Sequence, residues 1–101
     1  MSMTLAQLQD RIRTLYGAKD ARRGVEGTFM WFLEEVGELS AALRAGTADE
    51  RELEFADCLA WLVTLANCSG VDLERAIEKK YGTGCPGCQT IPCSCTREYK
   101  P

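Results

Sequence analysis

The sequence contains no histidine. That excludes Ser-His and Cys-His nucleophilic catalysis and leaves any metal site to carboxylates or thiolates. No run is long and apolar enough to span a bilayer. The segment from Met1 to Gln7 lacks the basic-then-apolar layout of a signal peptide. The expectation is therefore a cytoplasmic protein with no membrane partner, in which the six cysteines are thiols or metal ligands rather than a disulfide framework. A basic excess is also missing: 12 Lys and Arg face 15 Asp and Glu, a net charge of -3. That speaks against binding a nucleic-acid polymer. It leaves room for a nucleotide, because a bound metal supplies positive charge locally. Strand patterns, internal repeats and low-complexity linkers are absent before the tail.

What the chain does have is helical periodicity, and the fold class it predicts is all-α. Leu5, Leu8, Ile12 and Leu15 recur at helical spacing behind a capping Thr4 and predict a first helix ending near Gly17. The polar stretch 19–27, with glycines at 24 and 27, reads as a loop. Thr28 then caps a second helix that runs to about Ala45 and stops at Gly46. Residues 47–50 read as a connector and the next N-cap, a third helix reaches Cys68, and Asp72 caps a fourth from Leu73 to Tyr81. The third helix is apolar on nearly every side between Phe55 and Ala66, the mark of a helix buried all round. Four helices from 101 residues hardly enclose it, since a domain of this size buries only about two-thirds of its unfolded surface. Subunits are expected to pack through this region.

Five carboxylates stand in the most apolar part of the chain. Glu34, Glu35 and Glu38 lie within Trp31–Leu39, and Glu54 and Asp57 within Leu53–Leu62. Neither run holds a Lys or Arg, and an unpaired buried charge is costly. At about 100° per residue, Glu34, Glu38 and Glu35 fall at about 0°, 40° and 100° on one helix, and Glu54 and Asp57 about 60° apart on the next. Glu50 and Trp61 share that second side. If the two helices form an antiparallel hairpin, four or five carboxylates converge on one point. Such a cluster repels itself without a cation, and oxygen ligands select Mg²⁺, Mn²⁺ or Ca²⁺ over zinc. Helical bundles build diiron sites from inward carboxylates together with His, so the missing His favours Mg²⁺-dependent phosphate chemistry.

Glu35-Val36-Gly37-Glu38 followed by Glu54-Phe55-Ala56-Asp57 resembles the EExxE…ExxD signature of the MazG-like all-α nucleoside triphosphate pyrophosphohydrolases. The gap has a length typical of that signature, and the likeness extends over residues 5–81. The resemblance implies a helical bundle assembled as a homodimer or as a dimer of dimers, a homotetramer. It implies Mg²⁺-dependent hydrolysis (Mn²⁺ as the substitute) of an NTP or dNTP to the monophosphate and pyrophosphate, through metal-activated water attacking the α-phosphate. By motif position Glu35, Glu38, Glu54 and Asp57 are the metal ligands. Glu34 matches the first Glu, with a role in orienting the water or assisting metal binding. Lys79 and Lys80 resemble the family's basic position at the end of the last helix, a substrate contact; a cation at a helix C-terminus is favourable there in any case. Trp31 and Trp61 are candidates for stacking on the base or for packing in the core or interface. The competing function is a non-catalytic helical interaction module with a regulatory metal site.

After Tyr81 the composition shifts to Gly, Pro and Cys. The chain divides into a helical domain, residues 1–82, and a Cys-rich tail, residues 83–101. In the tail Cys85-x-x-Cys88 and Cys93-x-Cys95 place four thiols in a short window, which suits tetrahedral Zn²⁺. Disulfides formed on oxidation, an Fe–S cluster and free thiols are the alternatives. Cys58 and Cys68 lie on the third helix and read as packing residues.

Overall fold

Residues 2–100 are described in a computed structural model of the chain. The helices are α1 (Leu5–Ala45), α2 (Ala48–Cys68) and α3 (Leu73–Tyr81), and no strand occurs among the described residues. The all-α expectation holds. Thr4 starts α1 with a reciprocal cap: its hydroxyl accepts from the Gln7 N–H at 3.1 Å, and the Gln7 side chain accepts from the Thr4 N–H at 2.8 Å.

The loop expected at residues 19–27 is not there. Gly17 is helical, and α1 leaves helical geometry at a single residue, Gly24, with φ 82° and ψ 174°. Ala18, Ala21, Arg22 and Arg23 are good helix formers, and one glycine with positive φ supplies all the bend the chain needs. Thr28, expected as an N-cap, instead secures the kink. It is fully buried, its hydroxyl donates to the Gly24 carbonyl at 2.6 Å, and it accepts from Arg23 Nε at 3.1 Å. The expected first two helices are thus one long helix, kinked.

Gly46 and Thr47 turn the chain tightly into α2, with the Thr47 hydroxyl accepting from the Glu50 N–H. Helix α2 ends where Gly70 takes φ 70° and the Val71 N–H returns to the Ala66 carbonyl at 2.9 Å. Asp72 then caps α3. The antiparallel α1–α2 hairpin is the body of the molecule, and α3 packs back on α1. That return is held by one buried side chain. Gln9 donates to Asn67 Oδ1 (3.0 Å) and the Val71 carbonyl (2.9 Å), and accepts from the Leu73 N–H (2.8 Å).

The apolar core is small: Ile12, Ala42, Val63 and Ala66 are buried, Val63 completely. Phe55, Leu59 and Leu62 on α2 and Phe29, Met30 and Leu33 on α1 are exposed. The chain exposes 7698 Å², against about 5,700 Å² for a compact monomer of its mass. Its radius of gyration, 15.9 Å, likewise exceeds the roughly 13 Å of a compact domain of this length.

Candidate active site

Glu34, Glu35 and Glu38 sit on α1 beyond the kink, and Glu54 and Asp57 sit on the first half of α2. The two helices are tied at this level by the Cys58 thiol, whose sulfur lies 3.3 Å from the Glu35 carbonyl oxygen as donor. The acidic sectors therefore face each other. Carboxylate oxygens of Glu35, Glu38 and Glu54 come within 4.8 Å of one another. Glu35 Oε2 and Glu54 Oε2 are buried and accept no hydrogen bond. Among the described residues no Lys or Arg forms an ion pair with any of the five.

The electrostatics follow. Burial pushes the Glu35 carboxyl above its ordinary range, and the charges of Asp57, Glu54 and Glu38 push it further. Burial also raises the Cys58 thiol, with the charges of Glu35, Glu54 and Asp57 adding to it. Cys58, read from the sequence as a packing residue, is half-buried and joins α2 to α1 through its thiol.

Asp57 stands outside the close trio but bears on Glu35 through its charge. It lines an adjoining cavity of about 320 Å³ together with Tyr16, Lys19, Asp20, Arg23 and Trp61. Glu34 lines a groove on the other side, with Glu38, Glu50 and Glu54. Trp31 and Trp61 stack on each other, centroids 6.1 Å apart at 14°, and the Arg23 guanidinium lies 4.7 Å from the Trp61 centroid. Lys79 and Lys80 stand exposed on the last turn of α3, Lys80 Nζ 5.6 Å from the Tyr81 ring, and neither lines either cavity.

The cations beside the carboxylates are Lys19 and Arg23, residues that sequence reasoning placed in a loop. Arg23 pairs with buried Asp20, whose second oxygen Oδ2 has no partner. Their signal was the i,i+4 spacing of Lys19 and Arg23, which puts both on one helical face once the segment is helical. The four tail cysteines also meet: their sulfurs lie within 4.8 Å of one another. Hydrogen bonds from Ser94 and Thr90 hold Cys88 down at about 5, backbone N–H groups lower Cys85, and hydrogen bonding to Cys93 pushes Cys95 up to about 12.

The helical domain thus presents a carboxylate cluster that could hold a metal ion between two antiparallel helices, next to a cavity with basic and aromatic walls. Residues 23–88 match the family of the MazG nucleotide pyrophosphohydrolase domain. Over 80 residues, 79% of this chain and 72% of the relative, the sequence is 39% identical to the dATP/dGTP diphosphohydrolase of Cyanophage S-2L. The chain belongs to the MazG family and is a nucleotide pyrophosphohydrolase.

Proposed function

We propose that this chain hydrolyses a nucleoside triphosphate to the monophosphate and pyrophosphate at the α1–α2 carboxylate cluster, using Mg²⁺ with Mn²⁺ as a substitute. One observation carries the assignment of the site: Glu35, Glu38 and Glu54 converge within 4.8 Å with two buried oxygens unpartnered and no cation of the described residues paired to them. An all-oxygen donor set fits a hard divalent ion. Glu35, Glu38 and Glu54 would hold it, with Asp57 completing the set from the cavity side. When bound, the ion offsets phosphate charge and acidifies a water for attack at the α-phosphorus.

The chain's own groups do the rest. Lys19 and Arg23 supply positive charge to the phosphates from the wall that Asp57 shares. Arg23 is fixed for this by Asp20, Thr28 and the Trp61 ring. Glu34, which lines a groove with Glu38 and Glu54 and is not one of the trio, would orient the attacking water or assist metal binding. Trp61, stacked on Trp31 in the wall of the same cavity as Lys19 and Arg23, would meet the base there. Lys79 and Lys80 contribute only if a neighbouring subunit's α3 carries them to a site. Their charge already complements the end of their own helix.

The functional unit is a homodimer or homotetramer. About 2,000 Å² of exposed surface beyond that of a compact monomer supports it, as do the exposed Phe55, Leu59 and Leu62. The relative's name makes dATP and dGTP the first substrates to try. The experiment measures pyrophosphate release from each NTP and dNTP with Mg²⁺. Activity lost in Glu38→Gln and Asp57→Asn supports the assignment. Inactivity on every triphosphate by a protein shown to bind the metal refutes it in favour of a non-catalytic module.

A further inference from the structure

The tail is folded without the means that fold the rest of the chain. Residues 83–100 contain neither helix nor strand, and Ile91 and Tyr99 point their apolar surface outward. A segment this short cannot close on apolar burial alone. Yet it does close. The Gln89 N–H donates to the Cys85 carbonyl at 2.6 Å and the Cys85 N–H to the Thr90 carbonyl at 3.2 Å. Gln89 takes a φ of 60° to make that turn. The return brings the second cysteine pair onto the first, and the chain beyond it, from Arg97 to Lys100, lies across a cleft from Tyr81 at the end of α3.

At the centre are four sulfurs within 4.8 Å of one another, with Cys85 and Cys95 Sγ 3.8 Å apart and no disulfide among them. Zinc–thiolate bonds are about 2.3 Å, so a tetrahedral ZnS₄ site has edges of about 3.8 Å. The sulfurs are also surrounded as thiolate ligands are. Backbone N–H groups of Gly87, Ser94 and Cys95 donate to Cys85, Cys88 and Cys93 at 3.4, 3.2 and 3.4 Å. Donors directed at a ligand atom orient it and stabilise its negative charge. A polynuclear iron–sulfur core sets several atoms between cysteines held on different irons and requires them further apart than the 4.8 Å within which all four sulfurs lie.

We propose that Cys85, Cys88, Cys93 and Cys95 bind one Zn²⁺ in a closed, structural site that holds residues 83–100 against the end of α3. Four thiolates fill the tetrahedron and leave no position for water or substrate, so the ion staples the tail and takes no part in hydrolysis. The inference is independent of the carboxylate site, which uses none of these residues.

The test is elemental analysis of the full chain, purified under reducing conditions without chelator, with thiols titrated in parallel by a mercurial reagent. The expected result is one zinc per chain, released as four thiols react. Exchange with Co²⁺ should give the thiolate-to-cobalt charge-transfer band of a tetrahedral site. Cys88→Ser and Cys93→Ser should each lose the zinc while keeping the helical signal. A second reading needs no variant: chelation should open the wild-type chain to trypsin at Arg97, and added zinc should close it. Iron in place of zinc, protein without metal when zinc is supplied, zinc retained by both serine variants, or tryptic cleavage indifferent to chelation each overturns the proposal.

Discussion

Replacing Glu35 by Gln should make the metal-free protein more stable and the enzyme inactive. Two carboxylates 4.8 Å apart, the outer limit within the trio, repel by about 3 kcal/mol at an effective dielectric of 20 and about 1 kcal/mol in bulk water. Glu38 is exposed and Glu35 half-buried, so the lower part of that range applies to each pair, and partial protonation of Glu35 relieves some of it. Removing its repulsions from Glu38 and Glu54, before that of Asp57 is added, is therefore worth about 1–2 kcal/mol. Gln keeps the shape and fills the same space. For a domain of this size that is a rise of roughly 5–10 °C in Tm in the presence of chelator.

The raised carboxyl of Glu35 adds a pH signature. A carboxyl raised in the folded state favours folding most below its ordinary value of 4.5, and loses that contribution as pH climbs through the raised value. The Tm advantage of Glu35→Gln should accordingly be small at the acidic end and grow with pH. Saturating Mg²⁺ should reverse the order, because the wild type then gains binding energy that the variant lacks. Thermal melts of both proteins across pH, with chelator and with Mg²⁺, read all of this. A Glu35→Gln protein less stable than wild type in chelator would refute the reasoning, since it would mean that Glu35 is already satisfied by the protein.

Three further outcomes are expected. Gly24→Ala should lower stability by about 1–3 kcal/mol, the cost of forcing a Cβ into its backbone conformation, although its Cβ would touch nothing within 4 Å. Gly17→Ala, helical and in ordinary contact with Arg13 at 3.7 Å, should stabilise by about 0.5–1 kcal/mol; denaturant melts giving both variants the same sign would contradict the kink. Gln9→Leu strands the Leu73 N–H and the Val71 carbonyl and should cost about 2–4 kcal/mol, with amide exchange quickening first in α3. Lys19→Ala should raise KM for a triphosphate more than it lowers kcat, and unchanged kinetics would remove Lys19 from the phosphate wall.

The acidic cluster was legible because its cause is local. Charges placed every third or fourth residue in an apolar run share a helix face, and two such faces on consecutive helices meet if the hairpin is tight, as Gly46 and Thr47 make it. The kink was legible only as punctuation. A loop and a one-residue break both call for glycine, and what separates them is the hydrogen bond that Thr28 returns to Gly24, which sequence spacing does not announce. That single misreading hid the basic wall of the site, because Lys19 and Arg23 acquire a direction only once residues 19–23 are helical. Gln9 was hidden for another reason. Its partners lie 58 to 64 residues away, and on the page it is one more polar residue of an amphipathic helix.

The same distinction separates what the two clusters of ligands require. The carboxylates are brought together by helices that fold for their own reasons, so the cluster exists at a cost to the metal-free protein, and a stable apo form with Mg²⁺ exchanging on and off is the expected behaviour. The thiols are brought together by a segment with no other source of order, so there the metal and the fold are one equilibrium. A chelator strong enough to strip both ions should therefore leave the hairpin intact and stabilised by acid, while the tail beyond Tyr81 opens at any pH.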